Sequence, residues 1–174
     1  MFTSAARFWS VIDTFDVRLA GPADAPLMAG LRRTWVEEAA TSSVDDPGFE
    51  ERFDEWMVKE REQRLTWLGC VGGEPAGMVN MLIFTRMPRP GQVQPSRWGY
   101  LANFYVLPEH RNSGLGTEML DALTDHADAE GFVRVVLSPS EKSIPFYERG
   151  GFRAAYDLMV RPRPTGRTQR RQSS

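Results

Sequence analysis

The chain has 174 residues, of which 41% are hydrophobic and 25% are charged, so it suits one globular domain with a sizeable core. The net charge of -2 gives no global electrostatic reason to bind nucleic acid, and we expect none as a partner. The charge is uneven, because residues 161–174 contain five arginines and no acidic residue. The rest of the chain is therefore clearly negative.

The single cysteine, Cys70, rules out an internal disulfide. We interpret it as a packed core thiol rather than a nucleophile, since no histidine lies near it in sequence. No apolar run approaches the ~18 residues needed to span a bilayer. No cluster of Cys and His has the spacing of a zinc site. We therefore expect a soluble, cytoplasmic protein with no membrane partner and no metal.

The first half of the chain predicts an N-terminal extension at 1–15, followed by two helices and three strands. Leu27, Leu31 and Trp35 recur at spacing four, as on the buried face of a helix. The predicted elements are, in order, a strand at 17–20, a helix from Pro22 to about Ala39, a helix from Phe49 to about Arg64, and strands at 66–71 and 76–85.

The second half begins with a loop at 87–97 that contains three prolines. The predicted elements after it are a strand at 98–106, a helix at 113–130, a buried strand at 132–138, a short helix at 140–149 and a strand at 152–160. The apolar side of the long helix consists of Leu115, Met119, Leu120, Leu123 and Ala127. A flexible basic tail is expected at 161–174.

The predicted order of elements is β α α β β β α β α β, which indicates an α/β domain with a mixed sheet. Strands joined by short turns are antiparallel neighbours. The strand–helix–strand unit between residues 98 and 138 must be a parallel crossover. We therefore predict one domain at 16–160.

The most informative segment is 106–117, in which an apolar strand leads through Pro108 into Arg111-x-x-Gly114-x-Gly116 and then into a helix. Backbone N–H groups in the first turn of a helix lack internal partners, and the helix dipole favours negative charge there. This order of residues predicts a phosphate-binding loop.

Two common phosphate motifs do not fit the segment. A P-loop requires Gly-Lys-Ser/Thr, but Gly116 is followed by Thr117 and Glu118. A dinucleotide fingerprint requires a third glycine, where this chain has Met119.

The segment instead resembles motif A of the GNAT superfamily of acetyl-CoA-dependent N-acetyltransferases. A second signature of that family resembles the run Phe146-Tyr147-Glu148-Arg149-Gly150-Gly151-Phe152, one strand further on. The resemblance implies a GNAT-like single domain. Its sheet would be mixed and mostly antiparallel, with a splayed central pair of parallel strands and flanking helices.

The resemblance also implies acetyl-CoA as cosubstrate. Its pyrophosphate would lie on the N–H groups of residues 112–117, where the two glycines let the backbone approach closely. Its pantetheine arm would pair with the strand at 103–106. The cofactor-binding residues that the resemblance implies are Tyr105, Val106, Arg111, Asn112, Ser113, Gly114, Leu115, Gly116, Thr117, Ser140 and Tyr147. The alternative for Ser140 is that it only caps a helix.

Tyr147 is the catalytic residue that the resemblance implies, because its phenol would protonate the departing thiolate. The alternative is a core tyrosine that packs with Phe146 and Phe152. The backbone N–H near Val106 is the expected oxyanion donor.

The sequence does not identify the general base. The strand at 98–105 carries no carboxylate, and Asn103 can hold a water but cannot accept a proton. Four acidic residues near the expected acceptor site are candidates, although each taken singly is better explained as an exposed helix or loop charge: Glu37, Glu38, Asp45 and Asp46. The acceptor pocket would be lined by the two early helices, the loop at 87–97 and the strand near Trp98 and Tyr100. Arg86, Arg89 and Arg97 could bind an acidic group of the acceptor.

The resemblance implies an N-acetyltransferase that transfers the acetyl group of acetyl-CoA directly to a primary amine of a small molecule or a protein. A non-catalytic acyl-CoA-binding module is the alternative, supported by the missing strand carboxylate. The basic tail could be a nucleic-acid arm, but a solubilising tail fits it equally. Homodimers are common in the family, and no residue here decides the oligomeric state.

Overall fold

The computed structural model describes residues 14–162, which form five strands and four helices. The elements in chain order are β1 (Phe15–Leu19), α1 (Ala25–Ala40), α2 (Phe49–Glu60), β2 (Arg64–Val71), β3 (Glu74–Thr85), β4 (Arg97–Val106), α3 (Leu115–Ala129), β5 (Val135–Leu137) and α4 (Ile144–Arg149). Most of the predicted N-terminal extension and nearly all of the basic tail lie outside the described residues. The boundaries predicted at residues 16 and 160 stay predictions.

The five strands form one sheet in the order β1-β2-β3-β4-β5. The first three pairings are antiparallel, and β4 pairs with β5 in parallel. This confirms the predicted mixed sheet and the parallel crossover through α3. β5 pairs with β4 only at Gly99–Leu101, so the parallel pairing covers less than half of β4.

The described residues cluster into two compact units, one that ends at Pro139 and one that begins at Ser140. The first unit contains the sheet and the helices α1, α2 and α3. The second contains α4 and the signature around Tyr147. No helix in the described part of the chain is long and apolar enough to cross a membrane.

Helix α3 packs on one face of the sheet through its five predicted apolar residues, all of which are buried. Glycines in the strands make room for it. A Cβ atom at Gly69 would lie 2.7 Å from Met119 Sδ, and one at Gly77 would lie 2.8 Å from the Tyr105 carbonyl oxygen. These glycines let the helix that follows the phosphate loop sit close to the strands.

Helix α1 packs on the opposite face of the sheet. Met28 and Leu31 form a buried cluster with Leu68 and Met78 of the strands. Leu27, which was predicted to belong to the buried stripe, is 40% exposed, and Met28 takes its place. Spacing four alone does not fix the angle at which a helix faces the sheet.

Three predicted elements need correction. The second helix ends at Glu60, because Arg64 already belongs to β2. The strand predicted at 132–138 is only Val135–Leu137, and it is half-buried rather than buried. The described residues from Gly150 onward contain no strand, and Tyr156 and Met159 are almost fully exposed. An apolar pattern supplies one face of a strand, but a strand also needs a hydrogen-bonded neighbour.

Candidate active site

The predicted phosphate loop connects β4 to α3, and two of its residues have positive φ. Gly114 precedes the helix with φ 104°, a value that side chains rarely tolerate, and Asn112 has φ 61°. Asparagine tolerates this left-handed region better than most residues. Ser113 closes the turn by donating its hydroxyl to the His110 carbonyl at 2.7 Å.

Several N–H groups of the loop make no hydrogen bond to any residue that the structure describes: Asn112, Ser113, Gly114 and Gly116. Two others of the predicted set are partly engaged. Thr117 donates to the Gly114 carbonyl at 2.9 Å, and Leu115 makes a long contact of 3.4 Å with the Ser113 hydroxyl. The loop thus offers unsatisfied donors at the positive end of α3, as an anion site requires. Leu115 itself anchors the helix, since its side chain is fully buried.

Arg111 is bound by the protein itself. Its guanidinium makes two hydrogen bonds to the Glu38 carboxylate, at 2.8 and 2.7 Å, and Nε donates to the Val106 carbonyl at 3.0 Å. Glu38 lies near the end of α1, so this fork ties that helix to the phosphate loop. The main role that the contacts show for Arg111 is to position the loop.

Tyr105 completes this cluster. Its hydroxyl donates to Glu38 at 2.9 Å, and its ring stacks on Trp35 with centroids 5.3 Å apart. Burial, followed by the nearby Glu38 carboxylate, raises the pKa of Tyr105 to about 12. Arg111 and then Tyr105, as hydrogen-bond donors, hold the pKa of Glu38 below its ordinary value. An ionised, doubly bound carboxylate of this kind is a poor proton acceptor.

The backbone of β4 favours Val106 over Tyr105 as a contact for the acyl arm. Leu107 donates to the Ala76 carbonyl at 2.8 Å, and residues of an antiparallel pair alternate between the two sides of a strand. Tyr105 is therefore hydrogen-bonded toward β3, where its partner is Met78. By the same alternation the N–H of Val106 points away from β3, to the side of β5. A β-bulge at Ala102 shifts the register, and it thereby decides which residues of β4 direct their N–H groups toward β3.

A pocket of about 340 Å³ lies between α1, α2 and the middle strands. Its walls include Phe49, Phe53 and Trp56 of α2, and Asn103 of β4 lines it as well. The predicted acceptor pocket was to be lined by the two early helices, the loop at 87–97 and the strand near Trp98. The helices do line the pocket, but the loop and Trp98 do not. Trp98 stacks instead on Phe84, with ring centroids 4.4 Å apart.

Three polar residues form a row across the floor of this pocket, because Thr66, Asn80 and Asn103 are register partners on β2, β3 and β4. Asn80 is buried, donates to the Thr66 hydroxyl at 2.7 Å and accepts from Arg64 at 2.6 Å. These bonds satisfy Asn80 within the protein.

Three of the four acidic candidates for a general base, Glu38 among them, are engaged elsewhere. Asp46 is paired with Arg52, which lowers its pKa, and Glu37 accepts the N–H of Val44 at 3.0 Å. None of the four candidates lines the pocket. Two arginines, Arg32 and Arg52, do line it.

The second unit carries the other predicted site residues. Tyr147 is half-buried, and its ring makes edge contacts with Phe146 and Phe152 at centroid distances of 5.1 and 5.8 Å. Burial raises the pKa of Tyr147, which keeps the phenol protonated at neutral pH. The Ser140 carbonyl accepts the N–H of Ser143, and the two hydroxyls are 3.0 Å apart. These contacts agree with a role for Ser140 in starting the helical turn.

The family model for the acetyltransferase (GNAT) family matches residues 30–152. The chain belongs to the acetyltransferase (GNAT) family. The match includes the phosphate loop, the Arg111–Glu38 contact and the signature around Tyr147. Members of this family use acetyl-CoA. The donors left open at Asn112 to Gly116 fit its phosphates.

Similar proteins agree with this assignment. A glucosamine 6-phosphate N-acetyltransferase from Trypanosoma brucei brucei is 34% identical over 82 residues, which are 47% of this chain and 53% of that protein. The alignment thus spans about half of the curated relative. A predicted acetyltransferase with acetyl-CoA from Clostridium acetobutylicum has a TM-score of 0.66 at 18% identity, covering 86% of this chain and 96% of that one. A glucosamine-6-phosphate N-acetyltransferase from Arabidopsis thaliana has a TM-score of 0.64 at 21% identity, covering 86% and 99%. Both structures show the GNAT fold.

Sequence reasoning did not single out Arg32 or the polar row on the pocket floor. Arg32 follows the buried Met28 by one helical turn, so a cation on an otherwise apolar face was the available signal. The polar row had no such signal, because its three residues are brought together only by strand register.

Proposed function

We propose that the chain is an N-acetyltransferase that uses acetyl-CoA to acetylate a primary amine of a small molecule or a protein. The observation that carries the proposal is the set of unsatisfied N–H groups around Gly114 at the start of α3, in a chain of the GNAT family. The pocket between α1 and α2 supplies a cavity of ligand size in the same unit.

Seven of the predicted residues have a role in this proposal. Asn112, Ser113, Gly114 and Gly116 donate backbone N–H groups to the pyrophosphate, while Arg111 holds the loop in place. Val106 offers its N–H to the acyl carbonyl, where developing negative charge needs a donor. Acetyl-CoA supplies an activated acyl group as its thioester. Tyr147 acts as the acid, since burial raises the pKa of its phenol and the proton to be donated is therefore present at neutral pH.

Cofactor binding tests the proposal directly. A ligand that binds only the native state at 100 times its Kd stabilises that state by about 2.7 kcal/mol, which for a chain of this size raises Tm by roughly 5–10 °C. We expect acetyl-CoA to produce such a rise. Gly114→Glu should abolish it, because a carboxylate would occupy the phosphate site.

The matched control is Gly131→Glu, since Gly131 follows the other end of α3, also has positive φ, and has open space around it. This variant should keep the shift even if both variants are less stable without ligand. No rise for the wild-type chain at saturating acetyl-CoA contradicts the proposal.

A non-catalytic acyl-CoA-binding module is the second candidate, because none of the described residues that line the pocket is a carboxylate. A thiol-release assay over a panel of amines separates the two. A melting shift with acetyl-CoA but no release with any amine favours the module.

A further inference from the structure

The pocket between α1 and α2 has several polar residues, but most of their groups are already committed. Asn80 and Thr66 bind each other, and Arg52 is paired with Asp46. Two polar side chains that line the pocket make no hydrogen bond or ion pair to any residue between 14 and 162, namely Arg32 and Asn103. A ligand in this pocket therefore meets one open guanidinium and one open amide.

The guanidinium of Arg32 is positioned so that its N–H donors can bind a carboxylate. Arg32 is half-buried, and its guanidinium carbon lies over the Trp35 ring, 4.7 Å from the ring centroid. A guanidinium on an aromatic face keeps its planar fork of N–H donors available, and that fork matches both oxygens of a carboxylate. The other charged residue that lines the pocket, Arg52, is paired with Asp46, so the open charge is that of Arg32 and favours an acid over a second amine.

The walls are apolar. The side chains that contribute them are Met28, Phe49, Phe53, Trp56, Met57 and Met78. A polyhydroxylated acceptor such as an amino sugar would bring several hydroxyls to these walls, and each hydroxyl that lost water without a partner would weaken binding. A molecule with an apolar body and few polar groups fits better.

We infer that the acceptor is a free amino acid with a large apolar side chain, whose carboxylate is bound by Arg32 and whose amine lies at Asn103. This inference rests on the proposed function and names the substrate class for the same pocket. In the reaction the amine nitrogen forms the new bond to the acetyl carbon. The bond from that carbon to the CoA sulfur breaks, and the amine proton leaves as the thiolate is protonated.

The test compares three acceptors at equal concentrations of neutral amine: L-phenylalanine, phenethylamine and D-glucosamine 6-phosphate. Phenethylamine has the same ring and an amine but no carboxylate. Hydrogen bonds to charged groups contribute about 1.5–3 kcal/mol, so kcat/KM for L-phenylalanine should exceed that for phenethylamine on the order of 10- to 100-fold. Glucosamine 6-phosphate should be the poorest of the three.

Arg32→Gln should remove most of the difference between L-phenylalanine and phenethylamine, chiefly through KM for L-phenylalanine. The matched control is Arg61→Gln, which removes an exposed guanidinium that does not line this pocket and should keep the difference. The melting shift with acetyl-CoA is measured for both variants, so that a misfolded protein is recognised.

Equal rates with L-phenylalanine and phenethylamine, a preference for glucosamine 6-phosphate, or an unchanged difference in Arg32→Gln would each overturn the inference while acetyl transfer itself still holds. Turnover of none of the three also overturns it. In that case the melting shift with acetyl-CoA shows whether the proposed function fails as well: its absence contradicts cofactor binding, and its presence leaves the binding module.

Discussion

Arg111 illustrates how one residue can keep its place in a motif and have a different contact from the one its charge indicates. The motif predicted a cation at the phosphate loop. In the structure its guanidinium is paired with the carboxylate of Glu38, 73 residues away in sequence. The guanidinium Nε also donates a hydrogen bond to the Val106 carbonyl at the start of the loop. The donors that the loop leaves open are therefore backbone N–H groups rather than a side-chain charge.

Asp24 is a second residue whose contacts decide its chemistry. It accepts two hydrogen bonds of 2.8 Å from Arg18 and one of 2.7 Å from the Gly21 N–H, and it sits just before α1. The bond from Arg18 is the largest cause that lowers its pKa from 3.8 to about 2. Because the folded pKa lies below the unfolded one, this stabilisation is complete above about pH 4 and is lost as the pH falls toward 2.

We therefore expect Asp24→Asn to reduce the free energy of unfolding at pH 5 by on the order of 1–2 kcal/mol, and by much less near pH 2. Urea denaturation at the two pH values measures both differences. Asp16→Asn is the control, since Asp16 is exposed on the neighbouring strand and makes no ion pair with a described residue. A cost of Asp24→Asn that is the same at both pH values would show that the carboxylate charge is not responsible.

At the scale of elements, the position of α3 depends on glycines in strands that are far from it in sequence. Gly77 lies where a side chain would meet the Tyr105 carbonyl, a backbone atom that cannot rotate away. Gly30, in the middle of α1, has no heavy atom within 4 Å of the position of a Cβ. The two glycines thus differ in the space around them, although both have ordinary negative φ.

Gly77→Ala should lower the free energy of unfolding by about 1–3 kcal/mol, because the added methyl group overpacks the space between β3, β4 and α3. Gly30→Ala should instead raise it by about 0.5–1 kcal/mol, since alanine favours a helix interior over glycine. Chemical denaturation with a shared m-value measures both changes. A Gly77→Ala variant as stable as the wild type would mean that the strands can move apart.

At the scale of the whole molecule, the overall charge and the local charge of the pocket have opposite signs. The net charge is -2, yet two arginines and no carboxylate are among the described residues that line the pocket. A protonated amine gains no partner in such a pocket, so the acceptor should enter as the neutral amine.

We expect the pH dependence of kcat/KM to rise with an apparent pKa that follows the acceptor amine rather than the protein. Two acceptors whose amine pKa values differ by about two units should give profiles displaced by a similar amount, because the fraction of neutral amine limits the rate. Steady-state rates between pH 6 and 10 measure this. One common apparent pKa for both acceptors would instead indicate a base supplied by the enzyme.

Sequence reasoning succeeded where the determinants are local. The five buried residues of α3 follow from helical spacing, and the positive φ at Gly114 agrees with the freedom expected of a glycine there, whereas the positive φ at Asn112 was not predicted. It failed where a partner is needed: the residues after Gly150 have a strand-like pattern but pair with no strand in the described chain, and Met28 rather than Leu27 faces the sheet.

By itself the sequence determined the family, the order of most elements and the place of the loop before α3, because each rests on contacts within a few residues or on a motif of fixed spacing. Only the tertiary structure decided which side chains surround the pocket and which of them are already bound. Glu38 and Arg111, or Thr66, Asn80 and Asn103, meet through helix docking and strand register, and these long-range contacts leave no periodic trace in the chain. For that reason Arg32, with its guanidinium open toward an apolar pocket, could be recognised only in the folded molecule.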